Sequence, residues 1–202
     1  MLSPVRMLLA VAVAAFCLTY VPDCPAAEEP SLGIVGSEHV VKLTKEQKDA
    51  IKSFDPSFQV RREADYLPSL VKDYVFTNRQ LPFAVIGDFN GDGTMDVVLQ
   101  GYNKTSELVI AVLSAKGGGP IVMEVVRSRL VDPKTELYTV GEQNEYGLWT
   151  YLTFVPKGNV DSAFAARPLK LSTDAFQLNY FEKASVLYYL SGYQFMKYVT
   201  SD

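Results

Sequence analysis

The spacing of apolar residues changes at about residue 82 of the 202-residue chain. Before this point, two segments repeat apolar residues at helical spacing. The first, 45–54, follows a capping-box pattern in which Thr44 is the N-cap and Gln47 reaches back to it. The second, around 68–74, has Pro68 in its first turn, where proline is tolerated. The sequence therefore predicts two short helices in the N-terminal part.

After residue 82, short apolar runs alternate with turn residues, which is typical of strands. The predicted strands are 83–87, 95–100, 108–114, 121–127, 148–155, 175–180, 185–190 and 194–199. Their connections are short, including a glycine-rich one at 116–120 and a two-residue turn at Ser191-Gly192, so neighbouring strands are expected to pair antiparallel. Residues 108–113 have no polar face, which predicts a central strand covered on both sides, where the N-terminal helices could pack.

These patterns predict an α+β fold, mainly an antiparallel β-sheet in a meander or sandwich, with one or two short N-terminal helices. A single globular domain is expected over residues 44–202, since this length is typical of one domain. Residues 28–43 are expected to form a tether or a first edge strand.

Residues 1–27 have the pattern of a secretory signal peptide. Arg6 precedes an apolar run over 7–20, and small residues end the segment at Ala26 and Ala27. The apolar run is shorter than the roughly 20 residues of a transmembrane helix. We therefore expect cleavage after Ala26 or Ala27 and a periplasmic or extracellular protein with no integral membrane segment.

Both cysteines, Cys17 and Cys24, lie within this predicted leader. A lipoprotein is the alternative to a soluble exported protein, although the residues before each cysteine are poor lipoprotein signals. The rest of the chain has no thiol, so a disulfide or cysteine metal site is excluded there. The formal net charge of −4 gives no electrostatic footprint for nucleic acid or anionic lipid. A monomer is expected.

The densest polar motif is Asp88-Phe89-Asn90-Gly91-Asp92-Gly93-Thr94-Met95-Asp96. Oxygen-bearing side chains stand at positions 1, 3, 5 and 9 of this loop, namely Asp88, Asn90, Asp92 and Asp96, and two glycines allow a tight turn. Ca²⁺ takes about six to eight oxygen ligands, which a short loop can supply from alternate side chains, one carbonyl and water. The carbonyl at position 7 belongs to Thr94. The motif predicts a Ca²⁺ site with these five residues as ligands.

The flanks of the loop distinguish it from other calcium loops. An EF-hand requires a glutamate at position 12 and a helix on each side, whereas position 12 here is Leu99 and both flanks are strand-like. A dockerin-type loop fails on the same residue. Over residues 82–114 the pattern instead resembles the calcium loop of the FG-GAP or VCBS repeat, which occurs in integrin-like propellers and secreted bacterial proteins. The resemblance implies that the loop joins two antiparallel strands.

A closed propeller is not expected despite this resemblance. Eight strands make at most two four-stranded blades, and the motif occurs once. The alternative for the loop itself is an Asp/Asn/Gly-rich turn that binds nothing, because these residue types also dominate ordinary turns. Against it, three carboxylates within nine residues repel one another unless a cation neutralises them.

Catalytic chemistry has few candidates outside the leader. There is no cysteine and no Gly-x-Ser-x-Gly motif, and the sole histidine, His39, is expected to be a surface residue. The sequence favours a non-enzymatic, exported calcium-binding module with a structural ion and an unidentified protein or glycan partner. One alternative is a hydrolase of envelope polysaccharide that uses Glu142 and Glu145, close to Trp149. Another is a periplasmic inhibitor or immunity-type protein.

The C-terminal region is rich in aromatic residues. Alternation along a strand predicts that Tyr188 and Tyr189 point to opposite faces. Packing in the core explains most of these side chains, and the alternative is a tyrosine-lined recognition face.

Overall fold

The computed structural model describes residues 28–161 and 168–201; the predicted signal peptide lies outside them. The helices are α1 (Lys45–Phe54) and α2 (Pro68–Asp73), with a short 3₁₀ turn at Glu63–Asp65. The strands are β1 (Ser31–Val35), β2 (Glu38–Lys42), β3 (Gln59–Val60), β4 (Gln80–Leu81), β5 (Ala84–Gly87), β6 (Asp96–Tyr102), β7 (Ser106–Ala115), β8 (Gly118–Arg129), β9 (Leu137–Val140), β10 (Gln143–Tyr146), β11 (Thr150–Val155), β12 (Gly158–Val160), β13 (Leu169–Leu171), β14 (Ala175–Tyr180), β15 (Ser185–Ser191) and β16 (Gln194–Ser201).

Helix α1 begins with the predicted capping box. The backbone N–H of Gln47 donates to the Thr44 hydroxyl at 3.2 Å, and the Thr44 N–H donates to the Gln47 side-chain oxygen at 3.1 Å. These two bonds satisfy donors that a helix N-terminus otherwise leaves unpaired. The helix then buries Ile51 against the first sheet. The predicted bounds of 45–54 are confirmed.

The first sheet has the order β4-β5-β6-β7-β8, and β3 also pairs with β6. All named pairs in it are antiparallel. On one face, Leu108 and Ile110 of β7 share a core with Ile51 of α1 and with α2. On the other face, Val109 and Ala111 enter a second cluster. The prediction that this strand is central and covered on both sides is confirmed, with the helices on one side.

The second sheet has the order β11-β14-β15-β16 and faces the first. Leu152, Phe176 and Leu178 of this sheet pack with Val85 and Val98 of the first sheet in the cluster between them. Phe176 is fully buried, and burial of such a side chain contributes about 1.5–3 kcal/mol. This cluster holds the two sheets together as a sandwich. Neither sheet closes on itself within the described residues, so they contain no propeller.

The aromatic C-terminal strands are used mainly for packing. Tyr188 lies in the cluster between the sheets, stacked on Phe176 with ring centroids 5.4 Å apart. Tyr189 packs on the opposite face with Leu171 and Leu187, as alternation predicts. Tyr193 differs, since 98% of its surface is exposed.

Several features differ from the sequence predictions. Residues 28–43, expected as a tether or first edge strand, contain a separate hairpin in which β1 pairs with β2. The hairpins β9–β10 and β12–β13 are absent from the sequence prediction, because their strands are only three or four residues long. The last tight turn consists of Gly192 and Tyr193, one residue later than predicted, since Ser191 pairs with Gln194.

No helix within the described ranges is long and apolar enough to span a membrane.

Candidate metal centre

The candidate calcium loop lies between β5 and β6, which pair antiparallel with Gly87 opposite Asp96. Phe89 anchors it, because this side chain is fully buried between the sheets and packs edge-on against Phe176 at 6.1 Å. Its neighbours Asp88 and Asn90 are partly exposed, and Asp92 is exposed. The alternation of polar residues around one buried phenylalanine therefore fixes which side chains face outward.

The outer part of the loop is closed by its own side chains. The two carboxylate oxygens of Asp88 accept N–H groups of Gly91 at 2.7 Å and Gly93 at 3.0 Å. The side-chain oxygen of Asn90 accepts the Asp92 N–H at 2.9 Å. Both glycines have positive φ angles, 79° and 83°, a conformation that residues with a Cβ rarely adopt. The glycines thus allow the backbone donors to turn inward.

Asp92 connects the loop to the next turn of the sheet. One of its carboxylate oxygens accepts the Thr94 N–H at 2.8 Å, and the other accepts the Lys116 N–H at 3.2 Å. Lys116 lies in the β7–β8 turn. Partial burial acts to raise the pKa of Asp92, but these hydrogen bonds outweigh it and hold the pKa below its ordinary value. The ionised form is therefore favoured.

Asp96 has a different position from the other candidate ligands because it is fully buried. One oxygen accepts the Ser114 N–H at 2.7 Å, and the other accepts the N–H groups of Phe89 at 2.9 Å and Asn90 at 3.3 Å. Burial raises the pKa of Asp96 to about 7, against the opposing effect of these three donors. Asp96 is thus the inner acceptor that ties the start of the loop to β7.

Two residues of this region were not identified from the sequence. The backbone carbonyl of Ser114 accepts a hydrogen bond from the Asn90 side-chain amide at 2.8 Å. Asp174 accepts the Asp88 N–H at 3.1 Å, and its own N–H donates to the Asp88 carbonyl at 3.1 Å. The neighbour of Asp174, Thr173, lies against Gly91, where an added Cβ would be 2.8 Å from the threonine methyl. No local pattern signals Asp174, because it is 86 residues away along the chain.

The donor set of the loop suits Ca²⁺, but its side chains are directed at the backbone. Every side-chain oxygen of Asp88, Asn90, Asp92 and Asp96 accepts at least one backbone N–H. Within residues 28–161 and 168–201, no three His, Cys, Asp or Glu side chains are close enough together to hold a metal ion. The oxygens are ligands that Ca²⁺ prefers. Ion binding would therefore require the carboxylates to turn toward a common point, as the exposure of Asp92 permits.

The other candidate residues lie elsewhere. Glu145 accepts hydrogen bonds from the Ser69 N–H, at 3.0 Å, and from the Ser69 hydroxyl, so it ties the β9–β10 hairpin to α2. Glu142 is exposed in the turn of that hairpin. Trp149 stacks on Tyr138 with centroids 5.4 Å apart. Of the two carboxylates suggested for glycan chemistry, Glu145 thus bonds to α2, whereas Glu142 is exposed in a turn.

His39, expected from the sequence to be a surface residue, is partly exposed and makes two specific contacts. It lies in β2 with its Nδ1 atom 2.5 Å from Glu63, and its ring stacks on Phe76 at 4.2 Å. Only 24% of its side chain is exposed.

Comparisons of the chain with protein-family models, with curated proteins and with solved structures give no match.

Proposed function

We propose that this chain is an exported binding module stabilised by one Ca²⁺ in the loop 88–96. The side chains of Asp88, Asn90, Asp92 and Asp96 and the carbonyl of Thr94 would hold the ion, and water would complete its shell. The ion would supply positive charge at the junction of the two sheets. The partner of the module would be a protein or a glycan.

The observation that carries this proposal is the negative charge of the loop 88–96, which no described positive side chain offsets. Asp88, Asp92 and Asp96 lie within nine residues, and in the described part of the chain no lysine ammonium or arginine guanidinium nitrogen lies within 4 Å of their carboxylate oxygens. Backbone N–H groups satisfy their hydrogen bonds but carry only partial charges. Because Asp96 is also fully buried, ionisation there has a high desolvation cost. A divalent cation would offset that cost.

Calcium concentration would couple the stability of the module to its compartment. Extracellular modules bind Ca²⁺ with dissociation constants of about 10⁻⁴ to 10⁻³ M. At that affinity the site would fill outside the cell and remain empty in cytosol. This fits the signal-peptide pattern in 1–27 and the lack of cysteine elsewhere in the chain, which leaves the fold without disulfides.

The test is a thermal melt of the purified chain in EDTA, in excess Ca²⁺ and in excess Mg²⁺. Mg²⁺ is the control because it is smaller and demands a more regular shell. Ca²⁺ at about 100 times its dissociation constant stabilises by about 2.7 kcal/mol. For a chain of this size that corresponds to a rise in Tm of roughly 5–10 °C.

Two variants make the test specific. Asp92→Ala should abolish the response to Ca²⁺, since it removes a proposed ligand. Because Asp92 is exposed, the substitution leaves the core intact. Asp161→Ala removes an exposed aspartate elsewhere and should retain the response. If Tm in Ca²⁺ equals Tm in EDTA for the unmodified chain, the loop is an ordinary turn and the proposal is wrong.

A further inference from the structure

A concave surface beside α2 contains none of the residues of the calcium loop. The β1–β2 hairpin forms one wall, and the 3₁₀ turn together with α2 forms the other. The cavity has a volume of about 480 Å³, within the range of small-molecule sites. Tyr66 and Val71 give it an apolar side.

The only histidine of the sequence borders this cavity in a fixed orientation. Its Nδ1 atom lies 2.5 Å from a Glu63 carboxylate oxygen, and Phe76 covers one face of the ring, nearly parallel at 11°. Because Nδ1 is engaged by this carboxylate, Nε2 is the ring nitrogen that can bind a ligand. No hydrogen bond to Nε2 is formed within residues 28–161 and 168–201. The contact between Nδ1 and Glu63 therefore orients the ring of His39, and Nε2 is available to bind a ligand.

Two cations border the same cavity without carboxylate partners. Arg61, Arg79, Arg127 and Arg129 each form an ion pair with a carboxylate. Among the described ion pairs none involves Arg62 or Lys72, both of which line the cavity. A guanidinium beside a cavity is suited to bind a carboxylate or phosphate through paired N–H donors.

Negative charge in the cavity restricts the ligand. Glu38 and Glu63 also line it, so a highly charged anion would be repelled. We propose that this cavity binds a small molecule with one carboxylate or phosphate group and an apolar body. Arg62 and Lys72 hold the anionic group, His39 hydrogen-bonds to the ligand, and Val71 contacts its apolar part.

The histidine itself provides the probe, because an untagged chain gives a single set of imidazole signals. The experiment is a long-range ¹H–¹⁵N NMR titration with sodium acetate and with inorganic phosphate at constant ionic strength. EDTA is present throughout, so the outcome is independent of calcium binding. Saturable shifts of the His39 signals are expected with at least one anion, and competition between the two shows which group the site prefers.

The double variant Arg62→Gln, Lys72→Gln tests the role of the cations. Both residues are exposed, so the fold should persist, as a thermal melt would verify. The dissociation constant of the double variant for the anion should be at least about tenfold higher than that of the unmodified chain, since two charge-assisted hydrogen bonds are lost. Lys197→Gln, an exposed change in β16, should leave affinity unchanged. Shifts that do not saturate with either anion, or equal affinity in the double variant, would overturn the proposal.

Discussion

Asp88 and Asp174 exchange two hydrogen bonds across 86 residues of sequence. The Asp88 N–H donates to the Asp174 carboxylate, and the Asp174 N–H donates to the Asp88 carbonyl, each at 3.1 Å. The other Asp174 oxygen accepts the Lys157 N–H at 3.2 Å, and Arg79 pairs with the carboxylate at 3.4 Å. Because Asp88 follows β5 and Asp174 precedes β14, this one side chain connects the candidate calcium loop to the second sheet.

Replacing Asp174 should therefore destabilise the chain even without calcium. Asp174→Ala removes the acceptor for two backbone N–H groups, and its side chain is only 14% exposed, so water compensates poorly. We expect the free energy of unfolding to fall by about 1–3 kcal/mol. Urea denaturation in EDTA measures the change as a lower midpoint with an unchanged slope.

The matched control for this prediction is Asp161→Ala. Asp161 is exposed, and a substitution at such a position usually changes stability by less than about 0.5 kcal/mol. Equal midpoints for the two variants would show that the connection contributes nothing to stability.

Asp96 and Asp92 should behave differently although both are candidate ligands. Asp96→Ala leaves three backbone N–H groups without their acceptor in a fully buried place. The cost of each unsatisfied donor is about 1–3 kcal/mol, so we expect a loss of at least about 3 kcal/mol. Asp92→Ala exposes its donors to water and should cost less than about 1 kcal/mol.

Denaturation of both variants in EDTA provides the measurement, since it removes any contribution of the ion. Asp96→Asn is the intermediate case, because it retains one acceptor oxygen and should lose less than Asp96→Ala. If the variants at positions 92 and 96 are equally stable, Asp96 is not the inner acceptor of the loop.

Much of the fold could be predicted because its determinants are local. The capping box at Thr44 and Gln47 specifies where α1 begins, and alternation specifies β14 to the residue. The unbroken apolar run in β7 shows that both faces are buried, which requires a layer on each side. In these cases the signal lies in the same few residues as the structure it specifies.

The contacts around the candidate site could be predicted only in part. The spacing of polar residues in 88–96 identifies a closed loop, and the structure has one. Asp174 leaves no such signal, because its role depends on how two sheets pack. Similarly, His39 gains its partner Glu63 only when the β1–β2 hairpin docks on the 3₁₀ turn. The local sequence of this hairpin gives no indication of that docking.

Gly101 of β6 pairs with Val60 of β3 and leaves no room for a side chain. An added Cβ would lie 2.4 Å from the Gln59 carbonyl oxygen and 2.4 Å from the Phe58 ring. Neither the paired backbone of β3 nor the ring can move away without disturbing the core. Gly101→Ala should therefore destabilise by several kcal/mol, above the roughly 1–3 kcal/mol typical of overpacking, and lower the yield of folded protein.

Gly119→Ala is the control for that prediction, since an added Cβ there meets nothing within 4 Å and φ is not positive. It should retain the Tm of the unmodified chain to within a few degrees. A Gly101→Ala variant that melts as the Gly119→Ala variant does would mean that β3 does not pair closely with β6.

The final prediction concerns alkaline pH. Burial raises the pKa of Tyr66 well above its ordinary value, and burial raises that of Tyr74 in the same direction. Both hydroxyls donate hydrogen bonds, Tyr66 to the Gln100 side chain at 3.1 Å and Tyr74 to the Leu152 carbonyl at 2.7 Å. The neutral phenols are therefore the forms that fit the folded chain.

The direction of the pH effect follows from these shifts. Tyrosine in the unfolded chain has a pKa of about 10. Below that pH these tyrosines are neutral in both the folded and the unfolded chain, so their ionisation does not lower the free energy of unfolding. As pH rises above about 10, the unfolded chain releases protons that the folded chain retains, and stability falls.

Phenolate absorbance should consequently appear in two phases, the second coinciding with loss of the circular dichroism signal. Tyr66→Phe should diminish the second phase, whereas Tyr193→Phe, which removes a tyrosine that is 98% exposed, should diminish only the first. A single phase that is complete while the fold persists would contradict the burial of both hydroxyls.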